Sequence, residues 1–133
     1  MSLKFQLQSG KKIEIDIAPL EVCLNLYRAV VNECKNAGLD ITIANEDTLL
    51  SLLMKNKEAL LNVISSEAVM EAIKDCCPKV LYDKQRFSMD LFEKVENRKD
   101  FFAVMAIVGI ENIRPFFAEP HTILNAVQSQ FLM

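Results

Sequence analysis

The sequence predicts a mainly α-helical fold, in which an N-terminal β-hairpin precedes a compact bundle of about four to six helices. Two short segments near the N-terminus alternate apolar and polar residues, as half-buried strands do. Much of the remaining chain places apolar residues three and four positions apart, as amphipathic helices do. The 133 residues include only three glycines and four prolines, which favours helices over many short strands. We expect a single domain over residues 1–133.

The hairpin is predicted for residues 3–17. The apolar residues of each strand share one face, and they are Leu3, Phe5, Leu7, Ile13, Ile15 and Ile17. Gly10 lies between the strands and is suited to a left-handed turn conformation. Because an isolated hairpin is only marginally stable, we expect it to lie on the helices or to extend the sheet of a neighbouring chain.

The helical region is predicted to extend over residues 19–118, and its first helix begins at Pro19, since proline suits the first helical position. Apolar residues at helical spacing follow, and Gly38 is expected to end this helix. A second helix is predicted to begin near Asn45 or Asp47, because both are good N-terminal caps.

Ser65 and Ser66 are predicted to start another helical turn, which continues to Cys76 and is stopped by Pro78. The residues after this proline form a connector, and Val80–Tyr82 is expected to be extended.

Two more helices are predicted before the C-terminal segment. Ser88 is expected to cap a short helix over residues 89–95, and Asn97 is expected to cap the last main helix over residues 98–113. Residues 119–133 follow as a segment that is either mobile or docked on a neighbour.

Composition and charge exclude several classes of protein. A hydrophobic share of 51% excludes a mostly disordered chain and suggests apolar surface for self-association or for a partner. The net charge of −3 disfavours nucleic-acid binding, which needs a concentrated basic surface. The longest apolar run, residues 101–110, is about half the roughly 20 residues that a membrane span needs. With no signal sequence recognisable, we expect a soluble cytoplasmic protein.

No constellation of residues points to catalysis, to a cofactor or to a metal. The sequence lacks a glycine-rich phosphate loop, and its single histidine, His121, has no evident orienting partner. The four cysteines have no metal-binding spacing and are expected to be reduced, buried and structural; they are Cys23, Cys34, Cys76 and Cys77. We therefore expect no enzyme and no catalytic, cofactor-binding or metal-binding residue.

The candidate interaction residues lie at the two ends of the last main helix. An apolar run of this kind must be buried on more than one side, so it needs either the rest of the chain or a partner to cover it. Four phenylalanines at these ends are explained either as core residues or as an interaction surface, and they are Phe101, Phe102, Phe116 and Phe117. We select them as the candidate protein-interaction residues.

Three segments together resemble the tail assembly chaperones of long-tailed, siphovirus-type phages and prophages of Gram-positive bacteria. The first is SGKKIEIDIAPLEVCLNLYRAVVNECKNAGLDI from Ser9, which joins the hairpin to the first helix. The others are VLYDKQRFSMDLFE from Val80 and NRKDFFAVMAIVGIENIRPFF from Asn97. The resemblance covers residues 3–43 and 80–117.

This resemblance implies a non-enzymatic role. Such chaperones are thought to coat the tape measure protein and to bring tail tube protein to it. They act in the cytoplasm of the bacterial host and are not retained in the mature virion. The resemblance also implies a homo-oligomer. The net charge and the length of the apolar run lead us to expect no binding to nucleic acid or membrane.

Two alternatives belong to other classes of protein. The chain could instead be a structural tail or head–tail connector protein of a prophage. It could also be a small helical domain with a regulatory or ligand-binding role, which predicts a defined pocket.

Overall fold

Four strands and five α-helices make up the described part of the computed structural model, which describes residues 2–38, 55 and 57–117. The strands are β1 (Ser2–Gln6), β2 (Lys12–Asp16), β3 (Val80–Tyr82) and β4 (Gln85–Arg86). The α-helices are α1 (Leu20–Asn36), α2 (Lys57–Ser65), α3 (Glu67–Asp75), α4 (Val95–Arg98) and α5 (Phe101–Ile113). A 3-10 helix, Met89–Glu93, precedes α4, and a second, Arg114–Phe116, follows α5.

The strands form one antiparallel sheet in the order β1-β2-β3-β4. The predicted hairpin is therefore half of a four-stranded sheet, which corrects the predicted architecture of a two-stranded hairpin followed by helices. Val80 and Tyr82 of β3 are buried beside Ile13 and Ile15 of β2, so β3 continues the apolar face of the hairpin. The extended segment at Val80–Tyr82 is confirmed, but its local pattern does not indicate the strand with which it pairs.

The register of the hairpin confirms the two predicted apolar faces. Leu3 lies opposite Ile15, and Phe5 lies opposite Ile13. Each strand begins and ends one residue earlier than the apolar pattern predicted, and Ile17 lies beyond β2 and is exposed.

The turn of the hairpin is held by two backbone hydrogen bonds. The Leu7 N–H donates to the Lys11 carbonyl at 2.9 Å, and the Gly10 N–H donates to the Leu7 carbonyl at 2.9 Å. Gly10 has φ +91°, which confirms the left-handed conformation predicted for it.

The first helix has the predicted ends, shifted by one residue at its start. Pro19 is the N-cap, and α1 begins at Leu20. Gly38 has φ +84°, and its N–H donates to the Lys35 carbonyl at 3.0 Å, so the glycine ends the helix as expected. The buried face of α1 consists of Cys23, Leu26, Val30 and Cys34.

The start of α3 confirms the helical turn predicted at Ser65 and Ser66, and Ser66 is its N-cap. Its hydroxyl oxygen accepts a hydrogen bond from the Val69 N–H at 3.1 Å, which satisfies one of the free donors of the first turn. The helix ends at Asp75. The helix start predicted at Asn45 or Asp47 lies outside the described residues. The bundle of four to six helices thus stays a prediction.

The last main helix begins at Phe101, three residues later than predicted. Asn97, the predicted cap, is buried within α4, where its side chain donates to the Leu91 carbonyl at 2.7 Å. The short helix predicted after Ser88 is a 3-10 helix, and the Ser88 side chain makes no capping hydrogen bond. Asn97 fails as the cap because its side chain bonds to the Leu91 carbonyl and to Lys11 of the hairpin turn instead.

The apolar helix α5 lies at the centre of the fold and contacts α1, α2 and α3. Its buried residues are Val104, Met105, Val108, Gly109, Asn112 and Ile113. Gly109 allows close packing, since a Cβ atom there would lie 3.2 Å from the Ile73 Cδ1 of α3. No helix in the described ranges is long and apolar enough to cross a membrane.

Candidate functional site

The four phenylalanines selected from the sequence differ in exposure. Phe102 is 44% exposed, Phe101 and Phe116 are half-buried, and Phe117 is buried. Phe116 and Phe117 both contact the Tyr27 ring of α1, with ring centroids 5.3 and 5.6 Å apart. The second pair therefore packs the end of α5 against α1, while the first pair reaches the surface.

Phe101 and Phe102 line an open groove, which we call the aromatic groove. It has a volume of about 410 Å³, and its lining consists of Met89, Phe92, Glu93, Arg98, Phe101 and Phe102. Met89 is 41% exposed, so two large apolar side chains of this groove face solvent. Exposed apolar patches on small proteins commonly mark binding surfaces.

Aromatic stacking supports the groove from below. The Phe92 ring lies 5.1 Å from the Tyr82 ring, 5.7 Å from the Phe87 ring and 5.2 Å from the Phe101 ring, measured between centroids. Phe101 in turn lies 5.4 Å from Phe102 in an edge-to-face arrangement. Such pairs stabilise a structure by about 0.5–1.5 kcal/mol beyond the area that they bury. The floor of the groove is therefore fixed before any partner arrives.

The 3-10 helix places Met89 and Phe92 on the same side of the chain, since residues three apart are eclipsed in this geometry. Arg98 joins this segment to α4, because its Nε donates to the Phe92 carbonyl at 2.9 Å. Its Nη2 lies 3.6 Å from a carboxylate oxygen of Glu93. The groove thus carries one acidic and one basic side chain at its rim.

A buried polar cluster lies behind the groove and fixes the start of α5. The Asp100 carboxylate accepts hydrogen bonds from the Tyr82 hydroxyl at 2.6 Å and from the Ser9 hydroxyl at 2.7 Å. The Lys11 ammonium donates to the Asn97 side-chain oxygen. The bonds of Ser9 and Lys11 join the hairpin turn to residues 91 and 86 positions later in the sequence, and the bond of Tyr82 joins β3 to a residue 18 positions later.

The chemistry of this cluster favours a structural role. Burial, reinforced by the bond to Asp100, raises the pKa of Tyr82, so the phenol stays protonated as a donor. Tyr82 is 1% exposed and Asp100 is 4% exposed, and the two side chains are bonded to each other within the protein.

A second polar connection holds the junction between β2 and α1. The Asn112 side-chain oxygen accepts from the Ala18 N–H at 2.9 Å and from the Cys23 thiol at 3.3 Å. Its amide donates to the Val108 carbonyl at 2.8 Å. The buried amide is therefore satisfied and connects α5 to the start of α1.

The four cysteines are buried, as predicted. Burial raises the pKa of the Cys76 and Cys77 thiols to about 12 and also raises the pKa values of Cys23 and Cys34. The thiols are thus protonated and unreactive near neutral pH. In the described part of the chain, no three His, Cys, Asp or Glu residues are grouped to hold a metal ion.

A second depression of about 440 Å³ lies beside the start of α1. Its lining consists of Asp16, Ile17, Ala18, Pro19, Val22, Asp75, Cys76, Pro78 and Lys79. It is slightly larger than the aromatic groove but contains no aromatic side chain. We favour the aromatic groove as the candidate site, because aromatic residues and methionine are enriched where proteins bind one another.

Met89 and Phe92 were missed as site residues by the sequence analysis, although Phe92 belongs to a segment that carries the family resemblance. Their spacing of three is the available signal, but it predicts a shared face only once a helical geometry is assumed. Phe101 and Phe102, which were selected from the sequence, both line this groove, and Phe102 is exposed. Their combination into one groove depends on the path of the chain between Glu93 and Phe101.

Comparisons of the chain with protein-family models, with curated proteins and with solved structures found no match.

Proposed function

We propose that this protein is a non-enzymatic assembly chaperone of a phage or prophage tail, which binds the tape measure protein and assists assembly of the tail tube. The support is the resemblance of residues 3–43 and 80–117 to that family, together with the aromatic groove. The protein acts in the cytoplasm of the bacterial host as a homo-oligomer and is absent from the mature virion.

The exposure of Phe102 and Met89 in the aromatic groove is the observation that carries the proposal. Burying a whole apolar side chain of this size stabilises a complex by about 1.5–3 kcal/mol. Each of these two side chains is more than half covered already, so a partner gains about 1 kcal/mol from each. A long helical client that offers many such contacts would bind several copies with modest affinity for each.

The shape and the charges of the groove fit an amphipathic helix. Such helices bind in apolar grooves through side chains three, four and seven positions apart. Glu93 and Arg98 at the rim provide one charge of each sign. The polar side of a bound helix can therefore carry either basic or acidic side chains. This arrangement suits a client that presents a repeated apolar stripe rather than one unique sequence.

The test is co-purification with the tape measure protein encoded in the same gene cluster. The Phe102→Ser variant should weaken binding by about 1–2 kcal/mol, a factor of about 5–30 in affinity. Leu61→Ser is the matched control, because Leu61 is 50% exposed on α2 and does not line the groove. Equal binding by both variants, with wild-type circular dichroism, would exclude the groove as the client site.

Mass spectrometry of purified phage particles separates this function from a structural role in the tail. An assembly chaperone should be missing from the particles. Stoichiometric recovery of the chain in them would refute the proposal and favour a tail or connector component.

A further inference from the structure

The outer edge of β1 provides an interaction surface distinct from the aromatic groove. β1 is the terminal strand of the sheet, and in the described ranges no strand pairs with its outer edge. An unpaired edge presents backbone donors and acceptors that another strand can bind. Self-association at this edge rests on the homo-oligomer of the proposed function, whereas client binding by the aromatic groove is tested separately by Phe102→Ser, so loss of one would leave the other standing.

The hydrogen bonds of the hairpin determine which residues face this edge. The Leu7 N–H donates to the Lys11 carbonyl, and the register then turns the backbone groups of Phe5 and Leu3 toward β2 as well. The backbone groups of Lys4 and Gln6 therefore point outward from the sheet.

The opposite side of β2 gives an independent check of this alternation. The Asp83 N–H donates to the Lys12 carbonyl at 2.8 Å, so the even-numbered residues of β2 direct their backbone groups toward β3. Lys4 lies opposite Glu14, which therefore bonds to β3 and not to β1.

Side-chain exposure shows that Leu3 and Phe5 are only partly covered at this edge. Lys4 and Gln6 are exposed on one face of β1, while Leu3 and Phe5 are half-buried on the face that packs on the core. A strand added at this edge with the same apolar and polar alternation would cover the uncovered sides of Leu3 and Phe5. The sequence of β1 itself has this alternation.

We propose that β1 pairs in antiparallel orientation with β1 of a second copy of this chain, with a two-fold axis between the two Phe5 side chains. In this register Lys4 lies opposite Gln6 of the second copy, and both offer outward backbone groups, so four hydrogen bonds form. The two Phe5 rings meet in a non-hydrogen-bonded pair, where side chains on opposite strands are closest. The two sheets become one sheet of eight strands.

Two kinds of alternative register fit less well. A register centred on Lys4 places two ammonium groups directly opposite each other, which is destabilising. If either strand slips by one residue, the outward-facing backbone groups of one strand lie opposite inward-facing groups of the other. The slip also puts apolar side chains on the polar face of the sheet. In the Phe5-centred register each Lys4 keeps Glu14 nearby, at 3.7 Å, on its own chain.

Proline at Lys4 is a selective test, because it removes an outward N–H that takes no part in the internal ladder. Light scattering should give the wild-type chain and Lys4→Ala a mass about twice 15.1 kDa, whereas Lys4→Pro should give about 15.1 kDa. Gln6→Pro should have the same effect and replaces Lys4→Pro if that variant loses its circular dichroism. A monomeric wild-type chain, or dimeric proline variants, would overturn the proposal.

Cysteine cross-linking tests the register. Under mild oxidation Phe5→Cys should form a disulfide-linked dimer, while Gln6→Cys should not, because it faces Lys4 of the second copy. The native cysteines are buried and give a low background. Cross-linking of Gln6→Cys in preference to Phe5→Cys would refute this register.

Discussion

Replacing Asp100 by alanine tests whether the buried polar cluster holds the groove in place. The substitution leaves the Tyr82 hydroxyl, which is nearly inaccessible to water, with only Asn97 Oδ1 at 3.4 Å as an acceptor. An unsatisfied buried donor costs about 1–3 kcal/mol. Ser9 is half-buried, and water replaces its lost bond at a cost of about 0.5–1 kcal/mol.

We therefore expect Asp100→Ala to lower the free energy of unfolding by about 2–3 kcal/mol. Urea unfolding at pH 7, followed by far-ultraviolet circular dichroism, should show the midpoint fall by about 1–2 M. Asp90→Ala is the control, because Asp90 is exposed and the substitution changes the charge equally. That variant should remain within about 0.5 kcal/mol of the wild type.

A double-mutant cycle with Tyr82→Phe isolates the hydroxyl–carboxylate bond, since phenylalanine preserves the ring contact with Phe92. Hydrogen bonds to charged groups contribute about 1.5–3 kcal/mol, so the double variant should lose that much less stability than the two single variants together. Additive effects, or an Asp100→Ala variant as stable as the wild type, would refute the structural role assigned to this cluster.

Two further predictions concern the core. Gly109→Val should lower the melting temperature by an amount equivalent to about 1–3 kcal/mol, because the added methyl groups press on Ile73. The stability of Gly109→Ala should stay within about 1 kcal/mol of the wild type, because better helix propensity offsets a contact with the flexible end of Ile73. An equal loss of stability in the valine and alanine variants would contradict the packing argument. Burial raises the pKa of the Cys77 thiol from 9.0 to about 12, so the folded state keeps a proton that the unfolded chain releases. This contribution to stability is complete below about pH 9 and is lost as pH rises toward 12, by at most about 1.4 kcal/mol per pH unit. Urea unfolding from pH 8 to pH 10.5 should therefore show that the free energy of unfolding falls less steeply with pH for Cys77→Ala than for the wild type. Identical slopes of this free energy against pH would contradict the raised pKa of Cys77.

Local signals predicted the parts of the fold that neighbouring residues control. The alternation in the hairpin, the left-handed Gly10, the end of α1 at Gly38 and the cap at Ser66 all follow from interactions within a few residues. The burial of the four cysteines was likewise predicted from their spacing and chemistry.

Signals of the same kind gave wrong boundaries later in the chain, and at Asn97 a distant contact competes with capping. Asn97 and Ser88 have the chemistry of helix caps, yet neither caps the helix predicted for it. The Asn97 side chain instead bonds to the Leu91 carbonyl and accepts from Lys11 in the hairpin turn. A cap contributes about 1 kcal/mol, and burial with several partners exceeds that.

The sequence by itself determined that this chain has a hairpin, the strongly apolar helix α5 and aromatic pairs at the two ends of that helix. Tertiary structure alone decided that β3 extends the hairpin and that Met89 and Phe92 join Phe101 and Phe102 in one groove. The physical reason is the range of the interactions: caps and periodicity act between near neighbours, whereas strand pairing and aromatic packing depend on which distant surfaces are buried together.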